Sequence, residues 1–198
     1  MLAGMMRRLP SILTDNDLPA VELRAAELDG ELGGLAGGWA VTDAPVTAAA
    51  RAAAVAPGVP ARAILIERCA AWVWGWTAEP SPVRVCVARS ARIGTSARRE
   101  GRIREAEIDA DEIRTLGGVS ITSPERTLVD LARFDERDDV VALLAAGIVA
   151  AAMPSEAVAA ALDRRRSAAG RRRARERLAA ALDLAHRAPE ELALVSRC

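Results

Sequence analysis

The sequence predicts an α+β fold, with a small antiparallel or mixed sheet packed against helices and a helical C-terminal half. Three observations support this fold class. Segments that suit β-strands cluster near residues 82–88, 102–108 and 118–122, stretches with helical periodicity follow them, and a short helix with a glycine-rich hairpin precedes them. Because strands and helices occupy separate regions of the chain instead of alternating, the pattern favours α+β over α/β.

Length and composition set the first limits. The chain has 198 residues, of which 51% are hydrophobic, so it can build a substantial core. No apolar run reaches the ~18 residues that a membrane span needs. The opening segment MLAGMMRRLP lacks the long apolar region of a signal peptide. We therefore expect a cytoplasmic protein.

Several classes of catalytic and metal site are excluded by the missing residue types. All 27 basic residues are arginine, so the lysine of a P-loop or of a pyridoxal phosphate enzyme is absent. The single histidine, His186, cannot form a multi-histidine metal site. The three cysteines include no C-x-x-C pair. We therefore expect no cofactor and no metal, and an enzyme is the least favoured of the classes of function that the sequence allows.

The N-terminal region predicts one helix and one hairpin. Residues 18–32 are predicted to form a helix whose apolar side carries Val21, Ala25 and Leu28, with Leu23 partly on that side. The glycine pairs in residues 31–43 then indicate a tight hairpin. A helix followed by a hairpin is the second half of a winged helix-turn-helix, so residues 1–45 are predicted to be a reduced winged-helix-like segment and residues 46–198 the α+β domain.

Two helices are predicted before the sheet. The first covers residues 47–55. The second covers residues 61–76, because Leu65, Cys69, Trp72 and Trp76 recur at helical spacing. Since tryptophans also alternate at its end, the start of a strand there is an alternative. We expect these tryptophans to lie in the core and not to stack on bases.

The strands and the following helices have clear signals. Residues 81–89 and 101–109 are predicted strands, 110–118 a turn or a short helical piece, and 118–122 a third strand. A helix over 124–134 then begins with Ser123 as its cap and Pro124 in its first position, and it buries Leu128, Leu131 and Ala132. Three more helices are predicted, at residues 138–153, 154–166 and 171–187.

Arg126 and Asp130 stand four residues apart on the helix over 124–134, so they share one face. Two interpretations are open. The pair is structural, near the domain surface, or it clamps a ligand or a phosphate through the arginine fork. The sequence favours the structural interpretation, because no further acid or base stands near the pair in sequence.

Residues 164–177, called here the basic segment, hold eight arginines and one glutamate. Nucleic acid is one expected partner, because each neutralised phosphate releases counterions. The alternative is a solvated helix face that offsets the acidic segments 105–112 and 135–139 of the same fold. The candidate DNA-binding residues are Arg24, Arg164, Arg165, Arg166, Arg171, Arg172, Arg173 and Arg175.

The segment GGVSITSPERTLVDLAR resembles a signature of the AbiEi antitoxin family, in its compact actinobacterial form. The match involves Thr122, Ser123, Pro124, Arg126, Thr127, Asp130, Leu131 and Ala132. The segments LPAVELRAAELDGEL, ERCAAWVWGW and PVRVCV and the basic C-terminal helices add to the resemblance.

This resemblance implies an antitoxin of a type IV toxin–antitoxin system that regulates transcription. In the family a winged helix-turn-helix binds promoter DNA, and a C-terminal domain assists DNA binding and counters a nucleotidyltransferase toxin. Residues 46–198 would be that C-terminal domain. The rival hypothesis is a protein-binding or scaffold domain that has lost DNA binding, since the predicted N-terminal module is reduced.

Overall fold

A computed structural model describes residues 10–80, 83–88, 103–164 and 169–187. These ranges contain seven α-helices and seven strands. The helices are α1 (Ala20–Leu28), α2 (Ala48–Val55), α3 (Glu67–Val73), α4 (Pro124–Phe134), α5 (Val140–Ala150), α6 (Ser155–Asp163) and α7 (Arg171–Arg187). The strands are β1 (Leu32–Leu35), β2 (Gly38–Val41), β3 (Ile64–Leu65), β4 (Val85–Ala88), β5 (Ile103–Ala106), β6 (Ile113–Leu116) and β7 (Val119–Thr122).

Five strands form a mixed sheet in the order β5-β4-β3-β7-β6. β3 lies at its centre, antiparallel to β4 and parallel to β7. β4 and β5 are parallel, whereas β6 and β7 form an antiparallel hairpin. Helices α4 to α7 follow the last strand along the chain. The α+β class and the mixed sheet are confirmed.

The N-terminal helix and hairpin form as predicted, but the buried side of α1 is not the predicted one. Only Leu23 is buried, against Leu13 and Leu32, whereas Val21 is 81% and Leu28 is 88% exposed. Val21, Ala25 and Leu28 share one face because they are spaced by four and three residues, and Leu23 points about 200° away. The small β1–β2 hairpin covers one side of this nine-residue helix, and that side is the one of Leu23.

The predicted helix over 61–76 was wrong in its first half. Ile64 and Leu65 form the central strand β3, and the helix begins only at Glu67. A short apolar run buried on both sides of a sheet cannot be distinguished from a buried helix by periodicity alone. Trp72 and Trp76 are buried as predicted, and the alternative of a strand at the tryptophans is wrong.

Strand β6 was not predicted. Only residues 110–112 of the predicted turn or helical piece form a helical turn, and residues 113–116 pair with β7. Gly117 and Gly118 connect the two strands with φ of 52° and 83°, a conformation that glycine adopts without strain. The short sequence IRTL became a strand because this turn placed it beside β7.

Helix α4 and its cap are confirmed. The Ser123 hydroxyl accepts a hydrogen bond from the backbone N–H of Arg126 at 3.3 Å, and Pro124 is the first helical residue. Leu128, Leu131 and Ala132 are at most 1% exposed. Their side of α4 joins the larger core cluster, which also contains residues of α5, α6 and α7.

The C-terminal helices match the predicted periodicity, with shorter bounds for two of them. α5 ends at Ala150, three residues before the predicted end, and it buries Leu144 and Ile148. α6 ends at Asp163, and Arg165 and Arg166 of the predicted helix lie outside the described residues. Among the described residues no single helix is long and apolar enough to cross a membrane, although α5 and α6 meet that length and composition as a pair bent by 118°.

Candidate nucleic-acid interface

The described arginines of the basic segment differ in their exposure. Arg164, just after α6, and Arg172, Arg173 and Arg175 on α7 are exposed. Helix α7 buries the opposite side, formed by Ala174, Leu178, Ala181 and Ala185. Helix α7 therefore has a charged outer side and a core side made of alanines and Leu178.

Arg171 does not share that outer side fully. Its Nη2 donates to Asp163 Oδ1 at 2.7 Å, and its side chain is 36% exposed. Successive helical residues are about 100° apart, so Arg171, Arg172 and Arg173 cannot all lie on one face of the helix. Arg172 and Arg175, three residues apart, do share one side of the helix.

Three acids of the two acidic segments bind arginines outside α7. Arg68 binds Asp135 through Nε at 2.5 Å, and it also binds Asp139. Glu112, from the other acidic segment, binds Arg126 at 2.6 Å. These three acids are therefore not paired with the exposed arginines of α7. Arg172 of α7 instead approaches Glu176 of the same helix at 4.0 Å.

One arginine of the basic segment is structural. Arg177 Nη1 donates to the backbone oxygens of Asp135 at 2.6 Å and Ala132 at 3.2 Å. These carbonyls belong to the end of α4, where helix geometry leaves carbonyl groups without intrahelical partners. Arg177 therefore joins α7 to α4.

Arg24, the candidate DNA contact of the N-terminal helix, is 69% exposed but tethered. Its Nη1 donates to Glu27 Oε2 at 2.6 Å, and its guanidinium lies 5.5 Å from the centroid of the Trp39 ring. Trp39 Nε1 also donates to Glu27, at 3.1 Å. Both hydrogen bonds lower the pKa of Glu27, and the bond from Trp39 has the larger effect. The three side chains join α1 to β2.

Arg126 and Asp130 form a buried network and not a pair near the surface. Arg126 Nε donates to Asp130 Oδ2 at 2.8 Å, and the two side chains are 6% and 1% exposed. Nη1 donates to Glu112 Oε2 at 2.6 Å and to the backbone oxygen of Glu107 at 3.2 Å. Burial acts to lower the pKa of Arg126, but the carboxylates of Asp130 and Glu112 raise it above its ordinary value.

Glu112 was missed because it stands fourteen residues from Arg126 in sequence. The available signal was its capping box with Asp109, which predicts a helical turn but no partner for that turn. The network fastens the first turn of α4 to the turn before β6, which supports the structural interpretation.

Thr127 satisfies the polar groups at the corner between β7 and α4. Its hydroxyl lies 2.8 Å from the hydroxyl of Thr122 and 2.8 Å from the backbone oxygen of Ser123. Trp74 Nε1 donates to the backbone oxygen of Thr122 at 3.0 Å. Buried polar groups need such partners, so these side chains define the corner.

A pocket of about 240 Å³ has no residue of the basic segment in its walls, and no sequence signal pointed to it. Its walls include Glu67 and Arg68 of α3, Arg84 before β4, and Phe134, Asp135 and Arg137 at the end of α4. Burial acts to lower the pKa of Arg68, but the hydrogen bonds that it donates to Asp139 and Asp135 raise the pKa above its ordinary value. The bond to Arg68 lowers the pKa of Asp139. These residues come from three separate parts of the chain, which explains why sequence patterns did not identify the pocket.

Within the described residues, no group of three or more histidine, cysteine or carboxylate side chains is arranged to hold a metal ion. Cys69 and Cys86 are buried free thiols, and burial raises the pKa of the Cys69 thiol. His186 is exposed on α7.

Comparisons with known proteins give one family and one structure. The family model described as AbiEi antitoxin C-terminal domain matches residues 62–184. The crystal structure of the RV2827C protein from Mycobacterium tuberculosis is similar at 19% identity, covering 96% of this chain and 77% of that chain, with a TM-score of 0.42. No curated protein matches.

Proposed function

Because this chain belongs to the family of the AbiEi antitoxin C-terminal domain, we propose that it is the antitoxin of a type IV toxin–antitoxin system. In this proposal it acts in the cytoplasm as a transcriptional regulator that binds promoter DNA and antagonises a nucleotidyltransferase toxin. It performs no catalysis itself. The observation that carries the DNA-binding part is the set of exposed arginines on α7.

The charge arrangement supports contacts with phosphates. Arg172, Arg173 and Arg175 project from a helix whose other side is packed in the core, so their backbone is held in place. Arg164 adds a fourth exposed guanidinium at the neighbouring end of α6. Such contacts bind the DNA backbone and carry no sequence information. This surface would therefore supply affinity and not specificity.

Sequence recognition would fall to the reduced winged-helix-like segment of residues 1–45. Its described part contains α1 and the β1–β2 hairpin. Leu13 pairs with Trp39 of β2 through an isolated antiparallel bridge. Helix α1 presents Arg24 together with Val21 and Leu28 on its outer surface. An arginine and small apolar side chains are suited to guanine edges and thymine methyl groups in the major groove.

The test is a salt titration of binding to the DNA upstream of the gene, compared with a scrambled duplex. Affinity should fall steeply with salt, with a log–log slope of about −0.9 per phosphate bound. The double variant Arg172→Ala/Arg175→Ala should weaken binding to both duplexes, and the slope should become shallower by about 1 for each phosphate that is no longer neutralised. Arg24→Ala should instead reduce the preference for the upstream duplex.

Arg187→Ala provides the matched control, since Arg187 is an exposed arginine at the far end of the same helix, about 20 Å from Arg172. It should leave the salt slope unchanged. If the wild-type protein binds neither duplex at low salt, the regulator proposal fails. An equal loss of affinity in the control variant would place the DNA-binding surface elsewhere on the protein.

A second candidate function, a non-enzymatic protein-binding or scaffold domain, is favoured by the apolar outer face of α1. Val21 and Leu28 are more than 80% exposed and lie on one side of the helix. Large exposed apolar side chains in one place are typical of interaction sites. If Val21→Ser/Leu28→Ser keeps full DNA binding but loses antitoxin activity in cells, this candidate describes the N-terminal segment better.

A further inference from the structure

The 240 Å³ pocket combines features that the DNA-binding proposal does not use. It lies between the start of α3, the residues before β4 and the end of α4. Two of its arginines, Arg84 and Arg137, are exposed. The pocket also contains the chain's only phenylalanine, Phe134. Charge and an aromatic ring therefore meet at one concave site.

The two exposed arginines provide donors for an anion. The Arg84 side chain is 65% exposed, and its Nη1 lies 3.5 Å from Glu67 Oε2, too far for a strong ionic hydrogen bond. Arg137, which follows α4, is exposed at the other side of the pocket. Guanidinium groups bind phosphate oxygens through paired N–H donors.

Phe134 provides a stacking surface. Its side chain is 37% exposed, and the guanidinium of Arg133 lies 4.8 Å from the centroid of its ring. This cation occupies one face of the ring, so a base would stack on the opposite face. An aromatic ring that is both held and accessible is the type of platform on which nucleobases stack.

The walls of the pocket are fixed before any ligand arrives. Arg68 is held by Asp135 and Asp139, which joins α3 to the segment after α4. Glu67 adopts φ of 53°, a left-handed conformation that costs free energy for a residue other than glycine. Such strain is common at ligand-binding sites, where it orients a side chain. Here it places the Glu67 carboxylate beside Arg84.

We propose that this pocket binds a single nucleotide unit, with its base stacked on Phe134 and its 5′-phosphate held by Arg84 and Arg137. At about 240 Å³ the pocket is smaller than the ~300–1,000 Å³ of pockets that enclose drug-sized ligands, so one nucleotide unit would be only partly enclosed. Free nucleoside monophosphates and the phosphorylated 5′ end of a single strand share this chemistry. Glu67 acts as a positioning residue for Arg84.

Calorimetric titration of the full-length protein tests the proposal. The probes are AMP, GMP, CMP and UMP, the four matching nucleosides, inorganic phosphate, and RNA pentamers with and without a 5′-phosphate. Each preferred monophosphate should bind about tenfold more tightly than its nucleoside, and more tightly than inorganic phosphate. If the 5′-phosphorylated pentamers bind more tightly than the monophosphates, the ligand is a strand end, and the reverse order identifies a free nucleotide.

Two pocket variants and one control separate the contributions. Phe134→Leu keeps an apolar side chain but removes the aromatic ring, and it should weaken monophosphate binding by about fivefold or more. Arg84→Ala should make monophosphates bind no better than nucleosides. Arg187→Ala, which replaces an exposed arginine at the far end of α7, should leave monophosphate binding unchanged. As a control for folding, each variant should have the same midpoint temperature of thermal unfolding as the wild type.

Three results would overturn the proposal. They are the absence of monophosphate binding at millimolar concentration, equal binding by inorganic phosphate, and binding that survives both Phe134→Leu and Arg84→Ala. The proposal does not depend on the antitoxin function, because duplex binding through α7 is measured separately. Loss of duplex binding in Arg172→Ala/Arg175→Ala with unchanged monophosphate binding would show that the two sites are independent.

Discussion

Arg126 binds two carboxylates in a buried site. Replacing it would therefore leave two buried negative charges without their cation. Asp130 and Glu112 together carry one more charge than Arg126 neutralises, and Asp130 Oδ1 has no hydrogen-bond partner among the described residues. A buried pair that loses one member leaves an uncompensated charge. The residue is therefore more sensitive to replacement than a surface pair would be.

We expect Arg126→Met to lower the free energy of unfolding by about 3–5 kcal/mol. Adding Asp130→Asn and Glu112→Gln to this variant should recover part of the loss, because the unpaired charges disappear. Urea denaturation measures both effects. A charge swap between Arg126 and Asp130 should not rescue stability, since it would place a carboxylate at 126 beside Glu112.

Cys69 should contribute an alkaline limit to stability. Burial raises the pKa of its thiol above the ordinary value of 9.0. As the pH rises, the thiol of the unfolded protein therefore ionises before the thiol of the folded protein. The contribution of Cys69 to the free energy of unfolding is complete below pH 9.0, and it decreases as the pH rises from 9.0 towards the raised pKa of the folded state. Cys69→Ala should be less stable than wild type at pH 7, and the difference should shrink above pH 9.0, by at most about 1.4 kcal/mol per pH unit. A constant difference would contradict this.

At the scale of the elements, the turn between β6 and β7 connects the sheet with α2. A Cβ added at Gly117 would lie 2.4 Å from the backbone nitrogen of Ala53 and 2.6 Å from the backbone oxygen of Ala49. A Cβ added at the neighbouring Gly118 would contact nothing within 4 Å. Both glycines have positive φ, so they differ mainly in space.

This difference gives a matched pair of variants. Gly118→Ala should cost about 1 kcal/mol, from its backbone conformation alone. Gly117→Ala should cost about 1–3 kcal/mol more, because α2 must shift away from the turn. Chemical denaturation of the two variants measures the difference. Equal losses of stability would mean that α2 accommodates a methyl group at this position.

Helices α1 and α4 show what hydrophobic periodicity can and cannot predict. In α4, Leu128, Leu131 and the cap at Ser123 were all predicted, because cap, proline and apolar stripe agree. In α1, the stripe of Val21, Ala25 and Leu28 is as regular, yet it is exposed. A stripe identifies a surface that can be buried, and only the presence of a packing partner buries it.

At the scale of the whole molecule, the proposed boundary at residue 46 can be tested by dividing the chain. The buried residues of the two largest core clusters all lie after this point, although Leu35 packs against the second. The earlier residues form only the small cluster of Leu13, Leu23 and Leu32, and they contribute Ile12 and Ala40 to a cluster with Ala50 and Ala54 of α2. We therefore interpret residues 46–198 as the folding unit and residues 1–45 as a segment that depends on it.

Residues 46–198 alone should unfold cooperatively, at a lower temperature than the full chain because the side of α2 loses its cover. Residues 1–45 alone should not fold, since a segment of this length cannot bury enough apolar surface. Circular dichroism during heating measures both. A cooperative transition in the 1–45 peptide, or none in the 46–198 fragment, would contradict the boundary.

The sequence by itself determined the fold class, the family motif, α4 with its cap, and the extent of α7, because these depend on interactions between neighbours along the chain. It also predicted a charged α7, and the exposure of Arg172 and Arg175 agrees with it. These features rest on local periodicity, on turn and cap residues, and on composition.

The tertiary structure alone decided the strand identity of Ile64 and Leu65, the existence of β6, the partner Glu112 and the pocket around Phe134. Each depends on segments that are distant in sequence and meet only in the fold. A two-residue strand has no periodicity to detect, and an ion pair across fourteen residues leaves no pattern in one sequence. Such features become visible only when the core has brought the segments together.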